Sequence, residues 1–558
     1  MTMKITRRGA LFGASGLALA AAACSSGPRR PEPEPPTGPF RHGVASGEPD
    51  QTSVVLWTAI TDDSGGDYVF QVAADEAFET IVFEEREQRN YVTSNAVSTF
   101  KTIATGLEPG ARYFFRMLHN GISSPIGRTR TLPEGPVERF NIAVCSCSNY
   151  PAGYFNAYRE LADTPELDLV LHLGDYLYEY AADGYASDDA ERLGRVVDPP
   201  HELLAYGDYA RRHALYKTDP DLQAAHAAAP WFISWDDHET ANDSWRDGAE
   251  NHQPDEGPWR DRVNDALRAF HDWNPTREPD DLIGGMRVVE IGDLATLAIT
   301  ESRLTHRDQP LDFSSFPVPD DADPEDPANR QAVAEWRANE VGRDGRELLG
   351  ADQIEALADA FSAGKPWQLL AGQVVMGRVE APNMMEALPG WLKFLVHRTD
   401  PLAWGYIQRS QFDIPLNLDA WDGYAAERER LYGALQGTGG NIVAFAGDSH
   451  NFWANRLTDD RGVQVGLEFG TASISSPSPF ERIPAPGVSF SRIIEDGNPD
   501  VIRHNDRDKG FIRVSLTSHA MEVDFVTVST IKRRGYTAGS DSRWRVETGA
   551  NGLELTPV

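Results

Sequence analysis

Short alternations of apolar and polar residues occupy the first quarter of the chain. S-V-V-L-W-T (53–58), Y-V-F-Q-V-A (68–73), F-K-T-I-A-T (100–105) and A-R-Y-F-F-R-M (111–117) are separated by turn formers, as in E-P-G and H-N-G. Period-two segments of this length predict a small all-β, immunoglobulin-like sandwich over 39–133. T-R-T-L-P-E-G-P (128–136) reads as its exit linker. From Val137 the pattern changes. Apolar runs suited to buried strands appear at 139–147, 167–175, 231–237, 294–300, 367–373 and 441–448. Between them lie helical periods such as D-Y-A-R-R-H-A-L-Y (208–216) and Q-I-E-A-L-A-D-A-F (353–361). Strands alternating with helices predict a large α/β domain over 137–535. The polar segment 305–345, with D-D-A-D-P-E-D-P inside it, predicts a surface insertion, and 536–558 a C-terminal extension.

The start of the chain changes the picture of where it works. Arg7 and Arg8 precede a short apolar stretch of small residues that ends in A-A-A-A-C. That pattern over 1–26 is an export signal, and the arginine pair indicates the twin-arginine machinery that carries folded proteins. Its apolar part is shorter than the ~20 residues of a membrane span. Cys24 sits as in a lipoprotein cleavage site but lacks the usual leucine three residues earlier. Lipid attachment at Cys24 and simple release therefore both stand, and the expected location is periplasmic or extracellular. Gly27–Gly38 is a proline-rich tether.

Composition adds exclusions. A length of 558 residues implies two domains. The net charge of −33, spread along the chain, argues against a nucleic-acid partner. After Cys24 only Cys145 and Cys147 remain. Two residues apart on a strand they share a face and are poorly placed to bridge each other.

Several predicted strands end on polar or metal-competent residues: Cys147, Asp175, Asp236 and Asp237, Gln373, and Asp448. The carboxyl ends of strands form the ligand crevice of α/β sheets, so these segments can converge. H-L-G-D-Y-L-Y supplies Asp175 and Tyr178, W-D-D-H-E supplies Asp236, Asp237 and His238, and G-D-S-H supplies Asp448 and His450. Oxygen donors suit hard cations, while His and Cys suit transition metals, so a mixed set implies two different ions. A phenolate or thiolate ligand points to an acidic ion such as ferric iron. Against this, His172 in V-L-H-L reads as a satisfied core histidine, His213 and His226 as packing residues, and Cys145 as a small core filler.

The motifs F-R-H-G-V-A-S-G-E-P-D (40–50), S-C-S-N-Y-P-A-G-Y-F-N-A-Y-R (146–159), H-L-G-D-Y-L-Y-E-Y (172–180), W-D-D-H-E-T-A-N-D (235–243), W-D-G-Y-A-A-E-R (421–428) and G-D-S-H (447–450) resemble the PhoD-like alkaline phosphatase and phosphodiesterase family. The resemblance runs from about 38 to 530. It implies a calcineurin-like metallophosphoesterase β-sandwich flanked by helices, behind a small β domain. It also implies hydrolysis of phosphate monoesters or diesters with iron (Fe3+) and calcium (Ca2+), a metal-bound hydroxide attacking phosphorus. G-D-Y-L-Y is similar to the G-D-x-x-Y of purple acid phosphatases. By motif position, Cys147, Asp175, Tyr178 and His450 would hold iron. Asp175, Asp237 and Asp448 would lie towards calcium, with Asp236 in place of Asp237 if the register slips by one. His238 would contact phosphate and assist the leaving group. Glu301-Ser302-Arg303 and Asn498-Pro499-Asp500 depart from the family's D-T-R and N-P-H. A phospholipase D-like phosphodiesterase and a non-catalytic surface binding protein are the alternatives.

Overall fold

The computed structural model describes residues 38–61, 65–89, 97–482, 485–549 and 552–558. The export signal, Cys24 and the tether up to residue 37 lie outside the described residues. Two sheets form the larger body. One has the spatial order Gly552–Pro557, Ala538–Gly549, Ala520–Val528, Lys509–Leu516, Phe140–Cys145, Leu169–His172, Trp231–Ile233, Val44–Gly47, Ser53–Thr61, Val97–Thr105. The other runs Arg287–Ile291, Ala295–Ile299, Trp367–Ala371, Ile442–Ala446, Gln464–Gly470, Phe452–Thr458, Val501–Asn505.

Strand alternation decides what each face buries. Phe140, Ile142, Val144, Leu169 and Leu171 meet Leu297, Ile299, Leu369, Val443 and Phe445 in one core between the sheets. Ala143, Cys145 and Val170 face the opposite way, under the helices Asn156–Ala162, Tyr206–Lys217 and Pro220–His226. On the far side, the helices Ala351–Phe361 and Ala425–Thr438 bury Leu357, Phe361, Leu431 and Leu435 against Leu370, Ile442 and Ala444.

The N-terminal strands do form a sandwich, around Val54, Leu56, Ile60, Tyr68, Val72 and Phe115. Its boundary with the larger domain is not a free linker, however. Val44–Gly47, Ser53–Thr61 and Val97–Thr105 continue the first sheet, joined where Gly47 pairs in parallel with Trp231. Glycine is required there because a Cβ at position 47 would lie 2.4 Å from the Pro275 carbonyl oxygen and 2.7 Å from that of Trp231. The opposing layer is Ile81–Arg89, Gly66–Ala73, Arg112–His119 and Ile122–Ser123, with Gly127–Arg130 beside Arg112–His119.

Two other expectations change. The C-terminal region does not alternate strand with helix; Lys509–Leu516, Ala520–Val528, Ala538–Gly549 and Gly552–Pro557 form an antiparallel run, so 536–558 builds the edge of the sheet. Segment 305–345 is more than surface: Asp326 caps the helix Pro327–Trp336, and Val333 and Trp336 are buried with Phe412 and Ile414.

His172 lies in the core beneath the helices, where its Nε2 is 2.9 Å from the Tyr158 hydroxyl and its ring stacks on Trp231. Burial, with Lys217 adding, lowers its pKa from 6.5 to about 3. The folded chain thus keeps this imidazole neutral while the unfolded chain takes up a proton below pH 6.5. Its contribution is intact above 6.5 and is lost as pH falls towards 3, at about 1.4 kcal/mol per pH unit. In urea titrations between pH 6 and 4, His172→Phe should show a shallower loss of stability than wild type by about that slope. Parallel slopes would contradict a buried neutral His172.

Candidate metal centre

The parallel strands of both sheets end at the same edge, and a seam joins them there. Ser146 bridges to Ser473, and the Cys147 carbonyl accepts the Ser476 hydroxyl at 3.1 Å. Gln373 is a strut in this seam. Its Oε1 accepts Ser302 Oγ at 2.6 Å, and its Nε2 donates to Ser234 Oγ at 2.8 Å and the Thr300 carbonyl at 3.0 Å, so it is fully engaged away from any ligand.

The backbone aims the side chains. Cys147, Asp175, Asp448 and His450 all have left-handed φ, at 62°, 54°, 57° and 62°. Such conformations cost non-glycine residues about 1–3 kcal/mol each and gather at functional sites. At Cys147 this turn also corrects the same-face expectation for the two cysteines. The strand stops at Cys145, which stays in the apolar core under the helices, while Cys147 swings to the seam. Gly174 has φ +106°, and a Cβ on it would lie 2.4 Å from Asp236 Cβ. The glycine in L-G-D is there so that two ligand-bearing loops can touch.

Glu239 ties the same loops together. Its carboxylate accepts the amides of Asp175 (3.1 Å), Tyr176 (2.5 Å) and Asp236 (2.7 Å). Among the described residues, three groups place ligand atoms within 4.8 Å of one another: Cys147, Asp175 and His450; Asp175, Asp237 and His238; and Asp175, Asp236, Asp237 and Asp448. Asp175 belongs to all three. Tyr178 joins the first group, its hydroxyl lying 3.0 Å from Asp175 Oδ2 and 3.1 Å from His450 Nε2 while accepting Ser476 Oγ at 2.6 Å. His450 Nδ1 faces the Pro477 carbonyl at 2.9 Å, which leaves Nε2 turned towards the first group as the ring nitrogen able to hold a cation. All seven site residues expected from the sequence therefore converge.

The electrostatics fit cations. Asp175 Oδ1 and Asp236 Oδ2 are buried with no hydrogen-bond partner. Burial raises the pKa of Asp175 and of Asp448 well above the ordinary carboxylate range, and that of Asp236 to about 6 despite Arg303. For Asp237 the same burial is overcome by Arg303 and His238, and its pKa falls. Burial also raises Cys147 and Tyr178, with Asp175 adding to both, so neither ionises without a strong cation beside it. His238 goes the other way: burial would lower it, but Asp237, Glu179 and Asp175 hold its proton, and Glu179 Oε2 lies 2.7 Å from Nδ1.

Sequence reading missed two contributors, Arg303 and Glu179. Arg303, fully buried, sets Nε on Asp236 and Nη1 2.9 Å from Asp419, with Nη2 3.8 Å from Asp237 and 3.7 Å from Asp448. The residue of E-S-R that reaches the carboxylate cluster is thus the arginine. Glu301 instead caps the turn, accepting the amides of Arg303 (2.9 Å), Leu304 (2.8 Å) and Thr305 (2.9 Å). Glu179 was visible as an acid within the aromatic run Y-L-Y-E-Y, where burial demands a partner. Asp500 lies outside the three groups, its carbonyl accepting the Arg456 amide at 2.8 Å.

Comparisons with known proteins agree on one family. The profile of the PhoD-like phosphatase matches residues 142–525, and that of the PhoD-like phosphatase N-terminal domain matches residues 23–133. Alkaline phosphatase D of Bacillus subtilis (strain 168) is 30% identical over 523 residues, spanning 89% of this chain and 79% of that protein. A solved structure of PhoD superposes with a TM-score of 0.74 at 27% identity, covering 94% of this chain and 93% of that one.

Gly174→Ala tests whether the loop contact builds the cation site. The added methyl has no room beside Asp236, so calorimetry should show cation affinity reduced about 10–100-fold, as for disrupted supports of metal ligands. Unchanged affinity in a folded variant would show that the contact is incidental.

Proposed function

The chain belongs to the PhoD-like phosphatase family and is a phosphoric ester hydrolase, and from that premise we propose that it works through a ferric iron–calcium pair gathered on Asp175. The observation that carries this reading is the membership of Asp175 in all three ligand groups. Cys147, Tyr178 and His450 give one side of it sulfur, phenol and imidazole donors, a set that matches ferric iron. Asp237 and Asp448 give the other side hard oxygens, which match calcium; Asp236, gripped by Arg303, is the alternative to Asp237.

When bound, such a pair acidifies a water and neutralises charge that builds on the phosphoryl oxygens. The chain's own groups do the rest. His238, kept protonated by Asp237 and Glu179, has a proton to give the departing ester oxygen. Glu179 fixes that ring, and is itself held by the Asn242 amide at 2.9 Å and Asn251 Nδ2 at 2.7 Å. Arg303 prevents Asp236 and Asp419 from repelling an anionic substrate at full strength. Asp448, with 20% of its side chain exposed, marks the edge where substrate enters. A binding-only surface protein would have no use for this set.

Tyr178 supplies the test. Concentrated protein should be coloured by a phenolate-to-iron charge-transfer band. In Tyr178→Phe that band should vanish or shift and turnover of p-nitrophenyl phosphate and bis-p-nitrophenyl phosphate should fall at least tenfold, with calcium retained. A colourless, fully active, iron-free wild type would sink the iron assignment. A Tyr178→Phe variant with an unaltered band would remove Tyr178 from the ligand set.

A further inference from the structure

The loop that carries Asp448 and His450 has a second neighbour. Its alternate residues, Ser449 and Asn451, line a cavity of about 440 Å³, within the ~300–1,000 Å³ range of small-molecule sites. None of the seven site residues lines that cavity, so one loop serves two compartments. The remaining walls are largely apolar, with Val379, Ala403, Ile407, Trp453, Phe480 and Phe490 among them. Trp453 Nε1 donates to Ser449 Oγ at 2.9 Å, which couples the cavity wall to the loop.

Asn451 stands out in this apolar setting. It is 3% exposed, and its Oδ1 is buried with no hydrogen-bond partner. A buried acceptor left unmatched forfeits the hydrogen bond it had with water, and native structures contain few of them. The other polar side chains of the walls are engaged. Asp422 accepts Arg428 Nη1 at 2.5 Å and the Val379 amide at 3.0 Å, and Asn417 Oδ1 accepts the Asp419 amide at 2.9 Å. The Tyr406 hydroxyl donates to the Leu416 carbonyl at 3.3 Å. A charged ligand would lose its hydration here and find no opposite charge to replace it. A plain hydrocarbon would leave Asn451 unmatched. A neutral compound with one hydroxyl meets both requirements. Phe480 and Phe490 stack with their ring centroids 5.1 Å apart, and Trp453 adds a third ring, so a planar aromatic body fits these walls best.

We propose that this cavity binds a neutral phenol at a site separate from the metal centre, with its ring among Trp453, Phe480 and Phe490 and its hydroxyl donating to Asn451 Oδ1. Asn451 adjoins His450, and Ser449 lies between Asp448 and His450, so the bound phenol bears on the ligand loop from the cavity side. It therefore modulates hydrolysis without displacing the ester, as a coupling between two distinct sites. The binding step does not depend on which ions the centre holds.

Calorimetry on the metal-loaded full chain compares 2-naphthol with 2-methoxynaphthalene, which keeps the aromatic body and has no hydroxyl to donate. 2-Naphthol should bind at least about tenfold more tightly, because it satisfies a buried acceptor. In Asn451→Leu, which preserves side-chain size and removes that acceptor, the preference should vanish while the methoxy compound still binds. Ala403→Trp should fill the cavity and abolish binding of both compounds with p-nitrophenyl phosphate turnover intact, and Ala403→Leu, a milder filling, should weaken both. In wild type, 2-naphthol should change kcat for p-nitrophenyl phosphate, and saturating substrate should not remove the effect. Equal affinity for the two compounds, or no heat from either, would overturn the proposal and leave the cavity to solvent. Inhibition that saturating ester abolishes would make the cavity part of the substrate site and overturn the separate site. Binding with kcat unchanged would overturn the coupling to the loop. Protein that binds 2-naphthol through Asn451 yet hydrolyses no ester would contradict the phosphoesterase reading and leave the phenol site standing.

Discussion

The mutual repulsion of buried carboxylates at the edge of the two sheets governs the rest of the structure. Asp175, Asp236, Asp237 and Asp448 bring oxygens within 4.8 Å of one another. Two like charges ~4 Å apart repel by about 4 kcal/mol even at an effective dielectric of ~20. Arg303 is the guanidinium set among them. The chain holds the arrangement by tying the loops through the Glu239 carboxylate and by accepting left-handed backbone at four ligand-competent residues. The core between the sheets supplies the stability that makes such strain tolerable. Cations relieve the repulsion, so the geometry of the site and its affinity for metal are two faces of one property.

This constraint explains what could be seen in the sequence. Strand interiors were legible because Phe140, Ile142, Val144 and Leu169–Leu173 alternate or run apolar as a two-sided buried sheet requires. The convergence of the seven candidate site residues was legible because each follows such a strand in a motif with a recognisable chemistry. The charges that compensate them were not. Arg303 acts through partners more than a hundred residues away in Asp419 and Asp448, and nothing local to E-S-R marks that. Glu301 occupies the motif position of a functional acid yet spends its oxygens on the turn amides.

The same distinction between local and long-range information separates the two domains. Turn chemistry identified the N-terminal strands, yet their continuation into the large sheet rests on the approach of Gly47 to Trp231 and Pro275, far away in sequence. The C-terminal antiparallel run was missed because Ala538–Gly549 and Gly552–Pro557 are half-exposed, and because Arg513, Glu522 and Asp524 interrupt the apolar pattern of the mostly buried Lys509–Leu516 and Ala520–Val528. Similarly, the helical hairpin at 390–409 shows apolar residues on both faces, and periodicity alone cannot tell a core helix from one that meets a surface. The structure separates the faces: Leu392, Val396 and Ile407 pack with Val379, Leu388 and Trp453, while Trp391, Phe394 and Leu402 are exposed.

The proposed iron–calcium pair requires Asp175 to be shared by both ions. Elemental analysis of purified wild type and of Asp175→Asn, with far-UV circular dichroism to verify the fold, measures this directly. Wild type should contain iron and calcium together, and the folded Asp175→Asn variant should lose most of both, along with its phosphoesterase activity. A folded Asp175→Asn variant that keeps both metals and full turnover would contradict it.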